Sequence, residues 1–279
     1  MTRNDANSPV FTLRQGVIPL LVSMPHIGTE IPSHLEAGYT ARALQVEDTD
    51  WHLAQLYDFL PAMGASVLQP CYSRYVIDLN RPPDDTPMYP GASNTELCPT
   101  RFFTGNALYL EGCAPDAAAR VQRRNEYWQP YHDALAAELQ RLVQTHGYAL
   151  LWDAHSIRSA IPWLFEGTLP ALNIGTANGQ SADAAIAQAV MDVCSKAGRF
   201  SHVLNGRFKG GYITRNYGRP AAHVHALQLE MCQNLYMQEV SPYGYDQALA
   251  IQVQPTLRAM LQAALDACAA RYLGGHHGP

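Results

Sequence analysis

Two short apolar runs in this chain stop abruptly at a histidine: Ile18-Pro-Leu-Leu-Val-Ser-Met-Pro-His26 and Tyr148-Ala-Leu-Leu-Trp-Asp-Ala-His155. A run of this kind reads as a buried parallel strand that delivers its last side chain to the carboxyl edge of a sheet, where open α/β folds place their chemistry. A third apolar stretch, His225-Ala-Leu-Gln-Leu-Glu230, closes on a carboxylate, and an acidic cluster, Glu47-Asp48-Thr-Asp50, follows the first histidine. Strand signals at about 18–24, 66–70, 74–79, 148–153, 201–205 and 224–230 alternate with helical patterns over Asp50–Ala62, Arg120–His146, Ala182–Ala197 and Gln254–Tyr272. The alternation predicts an α/β fold with a mainly parallel or mixed central sheet flanked by helices on both faces.

A chain of 279 residues is long enough to bury one large core. Pro and Gly are spread throughout, so residues 9–273 read as a single domain with one elaborated loop over Arg81–Pro115. Residues 1–8 and the tail 274–279 lack periodicity and are expected to be disordered. A formal charge of −5 offers no basic field for nucleic acid. No stretch reaches the roughly 20 apolar residues of a membrane span, and the amino terminus has no secretory apolar region. The expectation is a cytoplasmic protein acting on a small soluble molecule. The six cysteines form no CxxC pair, which favours reduced thiols over a disulfide framework or a cysteine metal site.

Each histidine alone is most simply a satisfied strand-end residue. Together they occupy equivalent topological places, and Asp153 is near enough to His155 to orient an imidazole. Two imidazoles, a carboxylate and a spare glutamate are the parts of a hydrolytic zinc site. Residue chemistry leaves the carboxylate ligand open among Glu30, Asp48 and Asp50, and helix capping is the ordinary role of the last two. Glu230, ending an apolar run, is costly to bury without a role. It reads as the base that takes a proton from an activated water, or else as an ion-pair partner for an arginine. Basic residues group in Tyr72-Ser-Arg74-Tyr-Val-Ile-Asp-Leu-Asn80-Arg81 and in Asn205-Gly-Arg207-Phe-Lys209-Gly-Gly-Tyr212-Ile-Thr-Arg215, which suggests an anionic substrate.

These segments resemble the N-formylglutamate amidohydrolases of histidine degradation. The resemblance rests on Pro25-His-Ile-Gly28, Asp48-Thr-Asp-Trp-His52, Tyr72 to Pro82, Trp152-Asp-Ala-His-Ser-Ile-Arg158, Gly206 to Arg215, and Gln228-Leu-Glu230 with Leu235-Tyr-Met237, in the family's order over nearly the whole chain. It implies a zinc exopeptidase-like, carboxypeptidase-like architecture and one Zn²⁺ per chain bound by His26 and His155. Glu230 then corresponds to the catalytic glutamate, and Asn80-Arg81 to a pair that holds a carboxylate and polarises the scissile carbonyl. The pattern departs from His-x-x-Glu, because position 29 is Thr and Glu30 comes one residue late. The acid that the family shares implies Asp48 as third ligand, ahead of Asp50 and then Glu30.

The implied reaction is hydrolysis of N-formyl-L-glutamate to formate and L-glutamate, with Glu230 as base and acid and Arg81 at the oxyanion. Lys209, Arg215 and Arg158 would hold the substrate carboxylates, with Tyr212 adding a hydroxyl. Two other readings compete: a zinc deacylase for a different N-acyl acidic amino acid, and a non-catalytic module that binds an acidic amino acid.

Overall fold

The computed structural model describes residues 9–88 and 95–273. Seven strands form one sheet: β1 Phe11–Arg14, β2 Leu20–Ser23, β3 Ser66–Pro70, β4 Ala149–Ile157, β5 Leu172–Gly175, β6 His202–Leu204 and β7 Val224–Cys232. Their order is β1-β3-β2-β4-β7-β5-β6. Neighbours run parallel from β3 through β2 and β4 to β7, and β6 is parallel to β5. β1 lies antiparallel on β3, and β5 antiparallel on β7. The mixed, mostly parallel sheet expected from the alternating pattern is therefore present.

Eight α-helical segments accompany the sheet among the described residues. They are α1 Ser33–Glu36, α2 Leu53–Leu56, α3 Leu60–Met63, α4 Ala117–Arg123, α5 Gln129–His146, α6 Ala184–Ala197, α7 Tyr212–Tyr217 and α8 Gln247–Leu273. One face of the sheet packs Leu150, Trp152, Leu227 and Leu229 against Ile186 and Val190 of α6 and Val253, Leu257 and Leu261 of α8. The opposite face packs Leu21, Leu68, Leu151 and Ala226 against Tyr131, Leu135, Leu139 and Leu142 of α5. Both faces of the central strands are thus covered, which is why their sequences read as continuous apolar runs rather than alternating ones. No helix among the described residues is long and apolar enough to cross a membrane.

The sequence pattern misreads two segments. Residues 74–79 are turns rather than a strand: the Val76 amide donates to Ser73 O at 2.9 Å and the Arg81 amide to Asp78 O at 3.2 Å. Their apolar residues Val76, Ile77 and Leu79 are apolar because they fill the core under α5. The helix expected over Asp50–Ala62 is only the two short segments α2 and α3, preceded by His52 with φ +59°. The Asp50 amide donates to His26 O at 3.0 Å, so residues 50–52 follow the loop after β2 instead of a helical path. The edge strand β1 and the four-residue β5 were not signalled, being too short for a periodic pattern. The long helical pattern before β4 extends from Ala117 to His146, with a π turn at Arg124–Trp128 joining α4 to α5. The described part of 81–115 contains no helix or strand. The expectations for 1–8 and 274–279 fall outside the described residues.

Candidate active site

Side chains alternate faces along a strand, so Asp153 and His155 of β4 share a face with Gln228 and Glu230 of β7, which the register pairs as Asp153 with Gln228 and His155 with Glu230. The next residues after β2, Met24-Pro-His26, bring a second imidazole to the same carboxyl edge. His26 and His155 are both buried, with Nδ1 atoms 3.1 Å apart. Asp50 Oδ2 lies 3.4 Å from His155 Nδ1 and 4.0 Å from His26 Nδ1. One ligand atom from each of these three residues falls within 4.8 Å of the others. Two nitrogens on one zinc at about 2.0–2.1 Å and a tetrahedral angle lie roughly 3.3 Å apart, so the observed spacing suits a shared ion.

The far nitrogens are fixed by carboxylates. His26 Nε2 donates to Asp78 Oδ1 at 2.7 Å, and His155 Nε2 to Asp153 Oδ1 at 3.0 Å. Holding the proton on Nε2 leaves the Nδ1 lone pair for a metal, the arrangement in which an outer carboxylate fixes tautomer and ring orientation. Asn80 Nδ2 is also 2.9 Å from His155 Nε2, but Asn80 donates to Asp153 Oδ2 at 3.3 Å as well, and the ionised oxygen is the stronger partner for the imidazole proton. Burial lowers the pKa of His26, and the Arg74 charge adds to this. Burial also disfavours protonation of His155, yet the adjacent Asp153 and Asp50 hold its pKa well above the ordinary value.

Asp50, Asp78, Asp153 and Glu230 are all buried here, against one buried guanidinium, Arg74, whose Nη2 donates to Asp78 Oδ2 at 2.7 Å. Three buried aspartates against one guanidinium favour a compensating proton on His155, a place that a divalent cation can take instead. Glu230 makes no side-chain hydrogen bond or salt bridge with the described residues, so the ion-pair role considered for it is not observed. Burial pushes its pKa up to about 8, with the His155 charge opposing.

Asp48 is placed differently from the sequence expectation. Its Oδ1 accepts from Arg158 Nη2 at 2.9 Å, and its Oδ2 from Tyr75 Oη and the Phe103 amide, both at 2.9 Å. Both oxygens are consumed two residues away from the carboxylate that faces the imidazoles, so Asp50 takes the place expected of Asp48. Glu30 is not part of the His26, Asp50 and His155 group, and its backbone bridges to Tyr72. Arg158 is likewise bound up with Asp48.

A cavity over the cluster is lined by His26, His155 and Glu230 together with Arg74, Asn80, Arg81, Thr95, Phe103, Leu164, Arg207, Phe208 and Gln228. Arg81 donates to Thr95 Oγ1 through Nε at 2.9 Å and Nη2 at 2.6 Å. Asn80 reaches the cavity, but its Oδ1 accepts from the Ile213 amide at 2.8 Å, so its amide positions β4 and α7 rather than a substrate carboxylate. Arg158, Lys209, Tyr212 and Arg215 do not line the cavity, contrary to the sequence reading. Arg215 Nε donates to Gly210 O at 2.8 Å, and Tyr212 packs on Trp128 and His132. The glycine pair in that segment serves close packing: a Cβ on Gly211 would lie 2.3 Å from Asn80 Nδ2. Arg74 and Arg207 belong to the two basic groups that suggest an anionic substrate, without a role of their own, and Asp78 has no reading in the sequence. The signal for Asp78 is its place as a carboxylate in an apolar stretch, as for Glu230.

The fold and this cluster define an α/β protein with a candidate divalent-metal centre of hydrolytic type at the carboxyl edge of its sheet. A family model described as N-formylglutamate amidohydrolase matches residues 18–237. An N-formylglutamate deformylase of Pseudomonas putida is 51% identical over 263 residues, covering 94% of this chain and 98% of the relative. Another from Pseudomonas aeruginosa is 51% identical over 256 residues, covering 92% and 96%. The crystal structure of an N-formylglutamate amidohydrolase from Ralstonia eutropha superposes with a TM-score of 0.78 at 24% identity, covering 95% of this chain and 98% of that one. The chain belongs to the N-formylglutamate amidohydrolase family.

Proposed function

We propose that this chain is an N-formylglutamate deformylase, an enzyme of histidine catabolism that hydrolyses N-formyl-L-glutamate to formate and L-glutamate, and that His26, Asp50 and His155 hold one Zn²⁺ for that purpose. The observation that carries the reading is the convergence of two Nδ1 atoms and Asp50 Oδ2 beside a buried, unpaired Glu230, in a chain 51% identical to N-formylglutamate deformylases. A divalent ion supplies Lewis-acid polarisation of the formyl carbonyl and makes water acidic enough to act as a nucleophile near neutral pH.

The remaining work falls to the protein. Asp78 and Asp153 keep the Nε2 protons in place and so orient both imidazoles. Glu230 accepts a proton from the attacking water as its oxygen bonds to the formyl carbon, then delivers a proton to the amine nitrogen as the C–N bond breaks. Glu230, whose pKa burial raises to about 8, would be drawn down from that value by a cation held at His26, Asp50 and His155, towards the range where a carboxylate both takes and gives a proton. Arg81, anchored on Thr95, donates to the carbonyl oxygen as charge develops there. Phe103 and Leu164, which line the cavity, limit water around the reacting amide.

Incubating the chain with N-formyl-L-glutamate tests this. Formate and glutamate should appear in equal amounts, activity should vanish on chelation and return with Zn²⁺, and metal analysis should give one ion per chain. Faster turnover of N-acetylglutamate would favour a deacylase of different acyl preference, and turnover that survives complete metal removal would reject the centre.

A further inference from the structure

We propose that Arg207 recognises the γ-carboxylate of the substrate and thereby sets the preference for an acidic over a neutral side chain. The inference rests on the deformylase reading above. Three guanidinium groups line the cavity: Arg74, Arg81 and Arg207. Arg74 is spent on Asp78, which it contacts at 2.7 Å as part of the buried scaffold around His26. Arg81 is half-buried, follows Asn80 in the chain and is anchored on Thr95, and it suits the carbonyl oxygen of the amide. Arg207 lines the cavity and is the only one of the three that is exposed to solvent, which leaves it for the γ-carboxylate, the substrate group farthest from the amide.

The surroundings of Arg207 hold its fork in place without neutralising it. Its Nη2 donates to Leu164 O at 2.5 Å, and its Cζ lies 5.3 Å from the Phe165 ring centroid and 5.9 Å from that of Phe208. Among the described residues it forms no salt bridge with a carboxylate. A guanidinium steadied by a carbonyl and two aromatic rings keeps N–H groups for a bidentate anion and loses little freedom on binding it. The loop that carries it is anchored at its far end, where the Gly211 amide donates to Gln228 Oε1 at 2.6 Å and Gly210 packs on Gly175. Lys209 and Arg215 belong to the same segment and do not line the cavity, so charge in this segment alone does not select Arg207.

The test is the ratio of kcat/KM for N-formyl-L-glutamate to that for N-formyl-L-glutamine, measured on the zinc-loaded wild type, Arg207→Gln, Arg207→Lys and Lys209→Gln. Loss of one charge-assisted pair should lower the ratio about 10²-fold in Arg207→Gln, chiefly through KM for the glutamate substrate. Arg207→Lys should retain part of the ratio, because charge remains without the fork, and Lys209→Gln should keep the wild-type ratio. An unchanged ratio in Arg207→Gln, a parallel loss on both substrates, or a collapse in Lys209→Gln instead would overturn the assignment. A wild type that releases formate from neither substrate would reject the deformylase reading itself, an outcome separate from any change of ratio among the variants.

Discussion

Exchanging Asp48 and Asp50 one at a time for asparagine separates two carboxylates that the sequence places two residues apart. Asp50→Asn removes the anionic donor that faces both imidazoles at 3.4 and 4.0 Å. Loss of an outer carboxylate typically costs 10–100-fold in metal affinity, and a ligand should exceed that, so zinc affinity is expected to fall by more than about 10²-fold, or upwards of ~2.7 kcal/mol. Asp48→Asn should leave affinity within a few-fold. Its effect is on stability: Asn still accepts from Tyr75 and the Phe103 amide through one oxygen, while the charge that compensates Arg158 is lost. Arg158 is partly exposed at 19%, so water offsets some of that loss, and about 1–2 kcal/mol is expected instead of the 3–5 of a fully buried pair. For a chain of this size that corresponds to a midpoint lower by roughly 2–8 °C. Competitive titration with a chromogenic chelator gives the affinities, and thermal unfolding of chelated protein gives the stabilities. Zinc lost from Asp48→Asn and retained by Asp50→Asn would refute the placement of the metal donor.

Glu230→Gln should keep its zinc and its fold while kcat falls by about 10²–10⁴, since a glutamine of the same shape cannot relay a proton; normal turnover, or inactivity accompanied by metal loss, would count against the role. Arg81→Ala should lower kcat more than it raises KM, as expected of a donor that acts on the developing oxyanion, and steady-state kinetics on N-formylglutamate distinguish the two. His132 should make the fold acid-sensitive. Burial lowers its pKa from 6.5 to about 4, and its neutral ring donates from Nε2 to Leu79 O and accepts at Nδ1 from Tyr217 Oη. A depressed pKa means that this contribution is present above pH 6.5 and is lost as pH falls towards 4, by about 3 kcal/mol in all. Denaturant unfolding of chelated protein between pH 7 and 4 should therefore show a shallower decline in His132→Asn than in wild type, and parallel curves would remove His132 as the cause.

Much of this molecule was legible in the chain itself. The runs before His26 and His155 and the one closing on Glu230 are local signals, because a strand covered on both faces must be apolar until it reaches the sheet edge, where a polar side chain becomes tolerable. Those runs became β2, β4 and β7, the strands around which the site is built. The i, i+2 relation of Asp153 and His155 needed nothing beyond strand geometry. The apolar spacing from Arg120 to His146 likewise marks α5 from local sequence alone.

The choice between Asp48 and Asp50 was of another kind. Both are acidic, both are buried, and either could be a donor or a cap; the difference arises because Tyr75, the Phe103 amide and Arg158, all distant in sequence, converge on one, while His26 and the Ser156 amide hold the other. The same holds for Lys209 and Arg207, neighbours but one in the chain, of which only Arg207 lines the cavity. Residue type and spacing determine which groups are available near an edge. Which of them turns inward is decided by partners that only the folded chain brings together, since a buried charge must find its compensation through space and not along the sequence.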